Sequence, residues 1–459
     1  MGFLLKRNKI ALAGWSDDFN RPNESVAQPP WRFWGNVADF SLVDNRLKLA
    51  AEGQSRSGNY DGGIAFEHQP LTPNWSLEFV RAPIGTTAVN SSNETTQQIF
   101  LDRNWTEGGN ASSSPYQVII ELDSDYNREE KDEEGKVTKR ASMDYNVNIR
   151  TRDKTNATTS WGFTTYGSIG ADYAVIGASE WAAAMHLRFD IFSDRYIIGY
   201  INGIQRLFAD MYAETFRFGS RRRSANFAQI SGLVASIDNF KTYDIPPTRQ
   251  SPIRDNWTSR FFDNFDRENS TTVGNGWTQS AGNNFGIHQG SVSMNGGTFT
   301  GTDGFRQIRR DTGSSDMKVE FVYGGSGNGA PSLLAKTGVL GRVSADGSRG
   351  LIAYFAETSF WLGGFQWGGT LTAPDLLPNT PFFSSVFQTK LKTGVRYSLE
   401  ISGDGMWIRN LDESGRIVQY RGGINAIQPP SPNNTWAGVF ISRYAFTNST
   451  DIAEMRIHT

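Results

Sequence analysis

Glu121, Asp123 and Asp125 occupy alternate positions of the segment Glu121-Leu-Asp123-Ser-Asp125. Alternate side chains of a strand leave the same face. These three carboxylates therefore line one face, opposite Val118, Ile120 and Leu122. Two carboxylates flanking a glycosidic bond hydrolyse it with retention when ~5–5.5 Å apart, one as nucleophile and one as acid. The plainer reading is a strand end running into an acidic, solvated loop. The same acids, with Asn127 and Asp132, could supply some of the roughly six to eight oxygens that calcium takes. A repeated set, Asp17, Asp18 and Asn20 with Asp263, Asn264 and Asp266, is a second metal candidate. Against it stands turn chemistry, in which short polar side chains bond the backbone at a strand entry and Phe19 and Phe265 plug the core.

Sugar binding needs exposed aromatics for pyranose faces and amides or acids for hydroxyls. Trp361, Phe365 and Trp367 all have odd numbers, so one strand would carry them on one face, with Gly363 leaving a flat gap. Trp31 and Trp34 form a second candidate. The competing reading is that these rings fill the space between sheets, where most buried aromatic area goes.

Other chemistry is poorly supported. The chain has no cysteine, so disulfides and thiolate metal sites are excluded. His68, His186, His288 and His458 lack the spacing of a zinc motif, and no Gly-x-Ser-x-Gly elbow occurs. Net charge is −2, and Arg221-Arg222-Arg223 is too small a basic patch to imply nucleic acid. No cofactor is expected, calcium being the one candidate.

Strands must position these groups. Of 459 residues, 13% are aromatic and 48 are glycine, the composition of strands joined by tight turns. Tyr397, Leu399 and Ile401 alternate with polar residues, as do Met185, Leu187, Phe189 and Ile191. Asn202-Gly203, Asp346-Gly347 and Asp404-Gly405 are hairpin signals. Ala182–Ala184 looks helical locally, but it runs into that alternation and is read as strand.

The chain repeats itself. Asp17-Asp-Phe19-Asn-Arg21-Pro-Asn23 recurs as Asp263-Asn-Phe265-Asp-Arg267-Glu-Asn269. Glu78-Phe79-Val80 recurs as Glu320-Phe321-Val322, and the segment from Ile237 resembles that from Ile452. The first copy is about thirty residues longer, a surplus that includes the charged, exposed stretch Arg128–Arg140. The copies diverge in chemistry: Gly350–Glu357 holds one carboxylate where the first copy has its acidic strand. Pro246-Pro247 marks the boundary. The expected layout is an arm at 1–13, a first sandwich at 14–246, a linker at 247–260 and a second sandwich at 261–459. The basic and apolar arm could dock onto another protein. Its apolar piece, Ile10–Ala13, is too short for a secretory signal, and no stretch of about 18 apolar residues could span a membrane.

The opening Asp-x-Phe-x-Arg-x-Asn, a following tryptophan (Trp34; Trp277), the hairpin Arg195–Ile204 and the closing strand Ile237–Tyr243 resemble the concanavalin A-like lectin/glucanase superfamily. That resemblance implies an all-β fold of two tandem jelly-roll sandwiches whose first and last strands pair. Laminarinase-type glucanases of the superfamily carry Glu-x-Asp-x-(x)-Glu on their concave face. Carried over, Glu121 would be nucleophile and Asp125 a poor substitute for the acid, which makes binding the expectation and hydrolysis the alternative. The opening motif and tandem arrangement also resemble minor tail proteins of tailed bacteriophages of actinobacteria. This implies a virion component made in the host cytosol, without a signal peptide. Its partners would be other tail proteins, further copies of itself and a host cell-wall glycan. A purely structural virion subunit is the remaining alternative.

Overall fold

The computed structural model describes residues 13–25, 27, 30–34, 41–48, 63–66, 68–86, 88–89, 94–101, 116–154, 161–169, 176–211, 223, 225–232, 236–249, 251, 253–279, 285–294, 306–324, 337–355, 360–366, 375–376, 384–386, 391–413, 415–426, 433–441, 443–444, 447–448 and 451–459. The chain divides into two compact units, Met1–Gln250 and Ser251–Thr459. Each is a sandwich of two antiparallel sheets, the tandem jelly-roll architecture expected.

In the first unit one sheet runs Ile204–Asp210, Tyr196–Ile201, Met185–Phe192, Trp75–Arg81, Ser236–Asp244, Arg46–Lys48, Ser41–Val43, with Gly14–Asp17 also paired to Ser236–Asp244. The facing sheet runs Trp161–Ile169, Ser142–Lys154, Tyr116–Asn127, Thr95–Phe100, Asn226–Gly232, Gly63–Phe66, Trp31–Trp34. In the second unit Ser259–Asp263 pairs with Ile452–His458, so there too the first strand closes on the last. Its core draws Val319, Phe321 and Leu399 from one sheet and Ile308, Val339 and Leu351 from the other.

The repeated opening motif is a carboxylate clamp. Asp17 Oδ1 accepts from the Phe19 amide at 2.8 Å and from Arg21 at 2.7 Å. Asp17 Oδ2 accepts from the Trp31 indole at 2.7 Å. In the second unit Asp263 takes the Phe265 amide at 2.9 Å, Arg267 at 2.7 Å and the Trp277 indole at 2.9 Å. Phe19 and Phe265 adopt positive φ, 54° and 51°, which turns each ring into the core. Such strain in a non-glycine residue persists only where its surroundings fix it. The indole partner is therefore Trp31, not Trp34 as the sequence comparison paired it. Trp31 and Trp277 each stand fourteen residues after their aspartate. Trp31 also packs edge-on against Phe66 and Phe240, both at 5.0 Å between centroids, and so joins the two sheets.

Local signals held unevenly. Asn202 and Gly203 both take positive φ and close the expected two-residue hairpin. At Asp404-Gly405 the loop is shifted by one: Ser402 pairs with Gly405, leaving Gly403-Asp404 as the turn. The strand reading of Ala182–Ala184 is corrected. Ala178–Ala182 is a short helix and the next strand starts at Met185. The helix forms because it buries Trp181 beneath the Arg81 guanidinium, 4.2 Å from the ring centroid. Glu130–Lys131 pairs with Val137–Lys139 as a fully exposed hairpin within the charged stretch.

Burial works against ionisation of Asp263, but hydrogen bonds from Arg267, Trp277 and the Phe265 amide hold its carboxyl below the ordinary value. A depressed carboxyl stabilises the fold above its unfolded value, and that contribution disappears as pH falls through the folded value. Asp263→Asn should thus destabilise the second unit by about 2–4 kcal/mol near neutrality. The difference from the wild type should shrink on acidification below the usual carboxylate range. Urea unfolding at several pH values measures both, and a constant difference across pH would contradict the assignment.

Candidate functional site

Three adjacent strands of the first unit carry the acidic segment and its neighbours: β1 (Thr95–Phe100), β2 (Tyr116–Asn127) and β3 (Ser142–Lys154). The strand alternation is as expected: Val118, Ile120 and Leu122 are sealed in the core. Cross-strand register then sets partners beside each acid. Thr96 and Asn146 flank Asp123, Gln98 and Asn148 flank Glu121, and Asp144 stands opposite Asp125. Directly opposed side chains on a sheet lie close enough to interact.

Glu121 forms the inner end. It is 3% exposed and both oxygens are engaged: Arg150 at 2.5 Å on Oε1, and the Gln98 side-chain amide at 2.8 Å on Oε2. Asp123 is half-buried and accepts from the Thr96 hydroxyl at 2.7 Å. Asp125 is exposed at the outer end. Asp144 accepts from the Asn127 side-chain amide at 2.8 Å, and Glu94 accepts from the Tyr126 backbone amide at 3.1 Å. The strip thus grades from a pinned acid to open ones.

Asp123 and Asp125 repel each other. Desolvation, the charge of Asp123, a shared hydrogen bond and the charge of Glu94 together push Asp125 up to about 6. Asp123 is also raised, chiefly by desolvation, with Glu121 adding to it and Thr96 and Arg150 opposing. Both carboxyls are therefore harder to ionise than isolated aspartates.

The other expected sites fare differently. Phe365 (0% exposed) and Trp31 (2%) are corrected as sugar platforms, because a ring sealed on both faces cannot stack on a pyranose. Phe365 packs with Leu340, Val343, Ile352 and Phe440, and Trp31 serves the clamp. The side chains of Trp34 and Trp361, and the whole of Trp367, lie outside the described residues. Asp17 and Asp263 are corrected as metal ligands, since their oxygens are occupied by arginine, indole and backbone donors. Asp18 caps the Asn20 amide, and Asp266 donates its own amide to Asn264, both turn roles. Asp132 accepts from the Lys136 amide within the charged hairpin. Among the described residues no three His, Asp or Glu side chains are gathered to hold a metal.

Thr96, Gln98, Asp144, Asn146, Asn148 and Arg150 were not singled out from the sequence. Their signal is the polar alternation of Asn146-Val-Asn148-Ile-Arg150. Which strand neighbours which, and in what register, is not written in that pattern.

No family model and no curated protein matches the chain. Several solved structures are similar to about half of it. The β-agarase A of Zobellia galactanivorans is 12% identical, with 51% of this chain and 93% of that one covered and a TM-score of 0.31. The carbohydrate recognition domain of Emp47p is 12% identical, covering 50% and 94%, with a TM-score of 0.30. The β-porphyranase BpGH16B from the human gut bacterium Bacteroides plebeius is 9% identical, covering 52% and 94%, with a TM-score of 0.32.

A carboxyl raised on folding stabilises below its unfolded value, ~3.9, and loses that contribution as pH rises through its folded value. Asp125 should therefore make the first unit less stable as pH rises from about 4 to about 6. Asp125→Asn should flatten thermal stability across that window and raise it above. Asp451, also pushed to about 6 by burial, titrates there in both proteins, so the difference between them isolates Asp125. Parallel pH profiles for variant and wild type would refute the raised Asp125 carboxyl.

Proposed function

We propose that the first unit binds carbohydrate on the polar face of β1, β2 and β3, and that the chain is a tail component of a phage particle that meets host-surface glycan. The observation that carries the binding reading is the graded strip itself. Asp123, Asp125, Asp144 and Asn146 present acids and an amide at fixed register on a rigid sheet. Behind them Arg150 and Gln98 hold Glu121 in place. Rigid, pre-positioned polar groups bind at low ordering cost. The strip spans about 13 Å from Glu121 to Asp125 along the strand, enough for more than one sugar unit. The resemblance of the opening motif and tandem layout to minor tail proteins supports the phage setting. Several copies per particle would raise weak single-site affinity.

Binding is favoured over hydrolysis because the would-be nucleophile is sealed and has both oxygens engaged. Hydrolysis is the second reading, and the raised Asp125, suited to donate a proton, is the observation that favours it.

The first test is affinity of the full chain for a panel of cell-wall glycans. Asp123→Asn and Asn146→Ala should each weaken binding about tenfold or more, the cost of one hydrogen bond involving a charged or well-placed group. Unchanged affinity in both would remove the face from consideration. Reducing-sugar release abolished by Glu121→Gln would instead establish the hydrolase. Glycan binding lost on Trp361→Ala or Trp367→Ala would move the contact to the second unit. For the phage setting, antibody-gold labelling should mark particle tails, and unlabelled particles would exclude it.

A further inference from the structure

We infer that the first unit encloses a small monovalent anion, of the size of chloride, between its two sheets beside Arg81, Gln97 and Trp181. This site is separate from the acidic strip and does not rest on the carbohydrate reading. Arg81 ends its strand on the core side, in step with Leu77 and Phe79, and is 1% exposed. Gln97 of the facing sheet and Trp181 are equally buried. Arg81 Nε donates to Gln97 Oε1 at 3.3 Å, and Nη1 donates to the Trp181 carbonyl at 2.7 Å. Three buried donors of this group have no acceptor among the described residues: Arg81 Nη2, Gln97 Nε2 and the Trp181 indole. Nε and Nη2 leave the same edge of the planar guanidinium, so Nη2 opens toward the Gln97 side. Flipping the Gln97 amide is no remedy, because it would turn an N–H against Arg81 Nε.

The same pair of side chains meets three times elsewhere in the chain, each time around a carboxylate. Asp17 joins Arg21 to the Trp31 indole, and Asp263 joins Arg267 to that of Trp277. Glu400 takes Arg409 at 3.0 Å and the Trp407 indole at 2.9 Å. Arg81 and Trp181 bring those donors together without an acid: burial lowers the guanidinium to about 10, and no carboxylate among the described residues raises it. It is still charged at neutral pH. A buried charge is costly unless it is paired. A water molecule would accept from these donors, but it would leave the charge uncompensated and bring hydrogens that need acceptors of their own. A small anion supplies the acceptor and the countercharge together. Because the donors are sealed from solvent, the ion is enclosed as the unit folds and exchanges through local opening, and no ligand docks there from outside.

The test is urea unfolding of the full chain over a range of chloride concentration, with gluconate, too large to be enclosed, keeping the ionic strength constant. An ion held only by the folded state stabilises it by mass action. Above its dissociation constant, the folding equilibrium of the first unit should rise about tenfold for each tenfold rise in chloride. Gln97→Glu sets a carboxylate against Arg81 and should abolish that dependence while the chain stays folded in gluconate. Arg81→Met should abolish it as well. Crystals of the wild-type chain grown in bromide should show the ion beside Arg81 Nη2, a readout independent of any variant. Unfolding that is the same in chloride and gluconate, or no bromide at Arg81, would overturn the inference and leave water as the partner of these donors. A chloride dependence kept in Gln97→Glu would also overturn it, because the anion would then act elsewhere.

Discussion

The two sheets of each sandwich are joined by a carboxylate that answers three donors at once. Asp17 and Asp263 end the opening strand, hold the positive-φ phenylalanine, and bond an indole, that of Trp31 in the facing sheet or that of Trp277 just before the facing sheet's strand Thr278–Gln279. Removing one member leaves the others buried and unpaired, which costs more than the bond gains. Because the opening strand pairs with the closing one, the clamp also fixes the register at which the chain ends meet. The rest of each sheet is built outward from that seam.

A firm scaffold tolerates local conflict. Opposed acids on β2 and β3, the raised carboxyls of Asp123 and Asp125, and a buried glutamine oxygen without a donor among the described residues are conflicts of this kind. Features of this kind cluster where a protein interacts with something else. Arg150 pairs directly with the innermost acid and only partly offsets the outer two, whose carboxyls stay raised.

The corresponding face of the second unit is chemically different. On the same face of its facing sheet Leu340, Ile352, Phe365 and Phe440 form a sealed apolar cluster. Gly338 and Gly438 lie in that region, where an added Cβ would collide with Phe440 and with the Ile308 carbonyl respectively. Two units that share a clamp have thus diverged on the face where the first carries its acids, and one binding role need not extend to both.

Much of this was legible in the chain itself. The duplicated Asp-x-Phe-x-Arg-x-Asn announced two copies, and period-two alternation gave strands and the shared face of Glu121, Asp123 and Asp125. Both are local properties that strand geometry imposes whatever lies alongside. Tertiary structure decided the rest. It chose Trp31 over Trp34 for the clamp and made the Ala178–Ala182 helix a cover for Trp181. It turned Phe365 from a platform into core and placed Arg150 and Gln98 against Glu121. Burial and charge pairing depend on which distant strands become neighbours and in what register. That choice is made by packing two sheets together, so no single segment of the sequence contains it.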